Sequence, residues 1–131
     1  MYFHIDPKSS IPLYEQIVNQ VKDLTIRGLL HPGEKLPSVR ELSSKMVINP
    51  NTVSKAYQEL ERMGLLVTVQ GKGTFIADKT ENTVTQREKD KLYKEMRKTT
   101  IDCIYAGLSK EEIITWINDC FSGKEGKEDG S

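Results

Sequence analysis

Leu13, Ile17, Val21 and Leu24 recur at spacings of three and four residues between Pro12 and Gly28, which predicts a helix over 12–28 with one apolar face. The segment "HPGEKLPS" then holds a Pro-Gly pair and a second proline, so the chain must turn and start again. Ser38 and Glu41 stand at the spacing of a capping box, in which each side chain takes up the other residue's free backbone N–H. A short helix is predicted from Val39, with Leu42 and Met46 inward. Asn49 can cap the next helix and Pro50 can fill its first position, where a missing N–H costs nothing. Val53, Ala56, Tyr57, Leu60 and Met63 form its apolar stripe, and Gly64 ends it. Beyond it, "LLVTV" and "TFIA" are β-prone runs either side of "QGKG", a loop of hairpin length.

The pattern weakens at "DKTENT", so residues 78–83 read as a linker. Residues 84–105 read as a long, mostly polar helix with Leu92, Met96, Cys103 and Ile104 on one side, ended by Gly107. Ser109 and Glu112 repeat the capping-box spacing before a shorter helix bearing Ile113, Ile114, Trp116, Ile117 and Phe121. Residues 122–131, "SGKEGKEDGS", are polar and glycine-rich and are expected to be a disordered tail. The fold class expected is mainly α with a small β-hairpin, with residues 1–77 as one domain and a two-helix region over 84–121.

Two short helices joined by a tight turn, the second polar at its start, are the arrangement by which a helix-turn-helix offers side chains to the major groove of DNA. The apolar stripe would hold the second helix down and push Asn51, Thr52, Ser54 and Lys55 outward. Asparagine can pair with adenine, the hydroxyls can reach bases or phosphates, and lysine adds charge. The hairpin fits as a wing: in its tip, Gln70, Gly71, Lys72 and Gly73, the glycines let backbone approach a duplex while Lys72 meets phosphate. Arg40 is placed to reach phosphate or a guanine edge. From periodicity alone, a compact helical domain with a solvated polar face and a surface hairpin would look the same.

Composition narrows this further. A chain of 131 residues is one ordinary domain, or a small domain with an appendage, which leaves little room for a catalytic body. Charge balances at 19 Lys+Arg against 19 Asp+Glu. Residues 1–77 carry 9 basic and 7 acidic side chains, and residues 78–131 carry 10 and 12. A nonspecific architectural DNA-binding protein, the rival reading, would be expected to carry far more positive charge. No paired carboxylates, no nucleophile with a base and no phosphate loop suggest an enzyme, and no cofactor is expected. Cys103 and Cys120 share no metal-type spacing with His4 or His31. With no apolar run long enough to cross a bilayer and no leader pattern, a cytoplasmic location is expected.

The pieces "PGEKLPSVRELS", "NTVSKAYQELE", "GLL" and "QGKGTF", in this order and separation, resemble the winged helix-turn-helix of the GntR family of bacterial transcription regulators over about residues 11–77. The resemblance implies DNA contacts from Arg40, from Asn49, Asn51, Thr52 and Ser54, and from the wing tip. Some relatives have arginines where this chain has Pro50 and Ser54, which leaves the binding mode intact and the base preference open. The C-terminal part, with "AGLSKEEI", resembles the short dimerisation region of the YtrA subfamily, whose members often regulate transporter operons. That implies a homodimeric repressor at a pseudo-palindromic double-stranded DNA operator. Leu92, Met96, Ile104, Ile113, Ile117 and Phe121 are then the expected dimer interface, although packing of one helix on the other would use the same residues. Trp116 is open to two readings, packing or the wall of a pocket for a small-molecule effector.

Overall fold

Eight elements follow one another along residues 3–78 and 85–123, the part of the chain that the computed structural model describes: α1 (Leu13–Ile26), β1 (Lys35–Leu36), α2 (Val39–Met46), α3 (Pro50–Arg62), β2 (Leu66–Val69), β3 (Gly73–Ile76), α4 (Gln86–Tyr105) and α5 (Lys110–Ser122). The chain divides into two units, Met1–Thr80 and Glu81–Ser131. The linker expected over 78–83 lies outside the described residues except for Asp78, as does the expected tail beyond Gly123.

In the first unit the helix starts follow the local chemistry. Pro12 is the residue before α1 rather than its first member, and its carbonyl accepts the Gln16 N–H at 3.1 Å. Ser38 and Glu41 form the capping box of α2, with Glu41 N–H donating to Ser38 Oγ at 3.0 Å and Ser38 N–H to Glu41 Oε1 at 2.9 Å. Asn49 caps α3, whose first residue is Pro50. The apolar stripes converge: Ile17, Val18 and Val21 of α1, Leu42 of α2, Val53, Ala56, Tyr57 and Leu60 of α3 and Leu66 and Ile76 of the sheet form one buried cluster. Leu24, predicted inward, is half-buried at its edge.

The polar residue Gln16 is buried with this cluster, which the apolar pattern does not anticipate. Its side-chain amide accepts from Asp6 N–H at 2.9 Å and donates to the carbonyls of Asp6 and Ile11, both at 2.9 Å. Gln20 makes the same pair of bonds to the backbone of His4. Two glutamines one helical turn apart thus hold the N-terminal segment against α1 and keep Phe3 in the core.

The expected hairpin is present and gains a third strand. β2 and β3 pair antiparallel from Leu66 opposite Ile76 to Val69 opposite Gly73. β1, within the segment read as a turn, pairs with the other edge of β3, Lys35 opposite Phe75 and Leu36 opposite Thr74, giving the order β1-β3-β2. Two residues are too few for a period-2 pattern, so only the partner strand reveals them.

In the second unit, Thr85 and Glu88 cap α4, and Ser109 and Glu112 cap α5 as predicted. The Thr85 box has the same T-x-x-E signal, so it was available in the sequence. Neither helix contains a buried residue. The closely packed helix pairs are α1 with α3 and α2 with α3, and α4 with α5 is not among them.

Two predictions test this architecture. The Tyr57 hydroxyl donates to the Pro37 carbonyl at 2.7 Å and ties α3 to the entry of α2. Tyr57→Phe removes the bond but keeps the ring, so it should cost about 1 kcal/mol, or roughly 4–8 °C in melting temperature for a domain this size. An unchanged melting curve would show that the bond contributes nothing. Val47, after α2, has φ 55, the left-handed region that a β-branched residue disfavours, yet it is 88% exposed. Releasing about 1–2 kcal/mol of strain against the roughly 0.5–1 kcal/mol chain-entropy cost of glycine, Val47→Gly should raise the melting temperature slightly. A fall would refute strain at this turn.

Candidate nucleic-acid interface

The outer side of α3 is polar because its inner side is committed. Val53, Ala56, Tyr57 and Leu60 lie on one face, so Asn51, Ser54, Lys55 and Gln58 fall on the other. None of the ten residues expected to meet DNA is buried: Arg40, Asn49, Asn51, Lys55, Gln70, Gly71 and Lys72 are exposed, and Thr52, Ser54 and Gly73 half-buried. Several already have a partner. Asn49 Oδ1 accepts the Asn51 N–H at 2.8 Å, which leaves its NH2 group for an outside acceptor. Ser54 Oγ accepts from Gln58 Nε2 at 3.2 Å. Lys55 is drawn aside, its Nζ 4.1 Å from the centre of the Tyr14 ring on α1. Such an exposed cation–π contact is worth about 0.5–1 kcal/mol, small enough to be exchanged for a phosphate.

Gln58 belongs to this face although it was not among the sequence candidates. The signal was available, since position 58 lies one helical turn after Ser54, and a glutamine amide can pair with adenine as asparagine does.

On α2, Arg40 is the second helical residue, and its guanidinium has no hydrogen-bond or ion-pair partner among the described residues. Beside it, the Glu41 carboxyl is held below the usual carboxylate value by its bonds from the Ser38 backbone and hydroxyl, with Lys35 adding a smaller attraction. A depressed carboxylate stabilises above its ordinary pKa of 4.5, and its contribution is lost as pH falls through the lowered value. Burial pushes the Tyr57 phenol well above its usual value, and the Glu41 charge adds to that, so Tyr57 remains a neutral donor to Pro37.

At the wing, Lys72 N–H donates to the Val69 carbonyl at 2.9 Å, closing a turn with Gln70 and Gly71 at its centre. Gly71 has φ 81, the value a type II turn demands at its third residue, so a side chain there would be strained. Lys72 projects from the end of this turn, exposed and without a partner among the described residues.

In the second unit, Leu92, Met96, Ile104 and Phe121 are exposed, and Ile113 and Ile117 half-buried. Trp116 is 48% exposed and borders a surface groove with Ser109, Glu112, Thr115 and Asp119. Among the described residues no cluster suits a metal ion, and no helix is long and apolar enough to cross a membrane.

A tightly packed α2–α3 pair on a three-helix core, followed by a small sheet with a lysine at its hairpin tip, defines a DNA-binding protein of the winged helix-turn-helix class. Residues 13–76 match the family described as "Bacterial regulatory proteins, gntR family". The chain is 43% identical over 122 residues to the HTH-type transcriptional repressor YtrA of Bacillus subtilis (strain 168), covering 93% of this chain and 94% of that one. The crystal structure of a transcriptional antiterminator from Listeria monocytogenes EGD-e matches with a TM-score of 0.85 at 40% identity, over 97% of this chain and 98% of that one. The AraR DNA-binding domain in complex with operator ORX1 matches with a TM-score of 0.50 at 31% identity, over 58% of this chain and all of that one. The chain therefore belongs to the GntR family and is a transcription regulator.

Arg40→Ala should weaken DNA binding while leaving the melting temperature unchanged, because the side chain is exposed and has no partner among the described residues. If Arg40 grips a guanine, the loss should be about 1–3 kcal/mol, confined to duplexes carrying that base. Normal binding by the variant, or a collapse of its melting temperature, would remove Arg40 from the interface.

Proposed function

We propose that the protein is a homodimeric, sequence-specific repressor that binds a pseudo-palindromic operator, with residues 1–77 reading DNA and residues 84–121 holding two copies together. The observation that carries the reading is the polar face of α3, presented by a helix whose opposite face is wholly committed to the core. Asn49, Asn51, Thr52 and Ser54 enter the major groove, with Lys55 adding charge once it leaves Tyr14. The wing tip, Gln70 to Gly73, fixes the register on the backbone, and Arg40 reaches phosphate or a guanine edge. The similarity to a repressor and to an operator-bound domain supports both the DNA target and the sign of regulation.

Dimerisation rests on α4 and α5. Leu92 and Ile104 are each 60% exposed, Met96 55% and Phe121 86%, more apolar surface than a pair of helices leaves to water without a partner. A second copy related by a two-fold axis would cover that surface and place two recognition helices on two half-sites. A transporter-type operon as the target is supported by the resemblance to the YtrA subfamily. The groove beside Trp116 is where a small-molecule effector would be sought.

Duplexes recovered from a random library by the intact protein should share an inverted repeat, and sedimentation should give a dimer. Met96→Glu and Ile117→Glu should shift the protein to monomer and weaken binding to the recovered duplex, because a charge in an apolar interface is not solvated. A chain ending at Asp78 keeps the whole buried cluster, whose members lie between Phe3 and Ile76, so it should fold yet bind the repeat far more weakly. A truncated monomer that binds as tightly as the intact chain would sink the dimer reading.

A further inference from the structure

Lys35 is exposed on β1, and nothing in its sequence context marks it for DNA. Its strand pairing places it opposite Phe75 on β3, and alternation along β3 puts Phe75 and Gly73 on the same face of the sheet. The Lys35 side chain runs along that face to Gly73: a Cβ built on Gly73 would stand 2.8 Å from Lys35 Cε and 3.6 Å from its Nζ. The lysine stem therefore lies over the bare backbone of Gly73, the residue that follows the wing turn. At the other side, the Lys35 charge is felt by Glu41 in the first turn of α2, next to Arg40. Its ammonium makes no hydrogen bond or close ion pair among the described residues.

Lys35 thus lies against the wing at Gly73 with its charge also reaching the start of α2, and its ammonium is held by no hydrogen bond or close ion pair among the described residues. We propose that Lys35 is a further phosphate contact of the DNA interface, and that Gly73 is the slot that aims its ammonium beside the wing. The assignment rests on the DNA-binding reading above and adds one residue to it. It also gives Gly73 a second role beyond its φ of 125: any side chain there would displace the Lys35 stem as well as strain the backbone. A phosphate contact carries charge without base information, so Lys35 should raise affinity for every sequence alike.

The test uses the intact protein and mixed-sequence double-stranded DNA, titrated at several salt concentrations. Lys35→Gln and Lys35→Met keep a stem long enough to cover Gly73 and remove only the charge. Both should keep the wild-type melting temperature, weaken binding, and make the slope of log affinity against log salt shallower by about 0.9 per binding domain. Lys35→Arg should keep the wild-type slope. If Lys35→Gln and Lys35→Met bind with the wild-type affinity and slope while Lys35→Ala melts early, Lys35 only packs on the wing and the proposal is overturned. Lys72→Gln and Arg40→Ala, measured alongside, separate the two readings. Weakening by these two with Lys35→Gln unchanged removes Lys35 alone, whereas no effect from any of them removes this face as the DNA interface.

Discussion

Burial of one face of α3 is the constraint on which both the fold and the site depend. Val53, Ala56 and Leu60 are fully buried and Tyr57 nearly so, and each large aliphatic side chain taken from water stabilises the fold by about 1.5–3 kcal/mol. The helix cannot roll without exposing that stripe, and so Asn51, Ser54, Lys55 and Gln58 cannot turn inward. Rigid presentation of a polar surface is in this way a by-product of packing. The Tyr57 hydroxyl extends the same constraint to Pro37 and fixes where α2, and with it Arg40, begins.

Polar bonds carry what apolar packing cannot specify. Gln16 and Gln20 seat an N-terminal segment that has few apolar residues of its own, because a buried amide that satisfies three backbone groups orients chain as strictly as a strand does. The capping boxes of α2, α4 and α5 set where those helices start, and their carboxylates at the same time put negative charge in the first turn of each helix. Val47 is the counterexample, a residue held in a left-handed conformation with almost no burial in return, at the turn between the two helices of the motif. The second unit inverts the logic of the first, since most of its large apolar residues are exposed along helices with no buried member.

Sequence by itself determined the elements whose signals are local. Proline, asparagine, serine and glycine act on their immediate neighbours, so Asn49-Pro50, Ser38 with Glu41, Ser109 with Glu112, and Gly64 could be read without knowing what they pack against. The helical stripes were readable for the same reason, because their period is a property of one helix, and the polar face of α3 followed as their complement. Tertiary structure alone decided what depends on residues distant along the chain. Lys35 and Leu36 became a strand only because β3 lies beside them, Gln16 became a core residue only because residues 6 and 11 return to it, and Lys55 found Tyr14 across two helices. Lys35 and Gly73 likewise meet across a sheet, where the spacing that matters is in space and leaves no period in the chain.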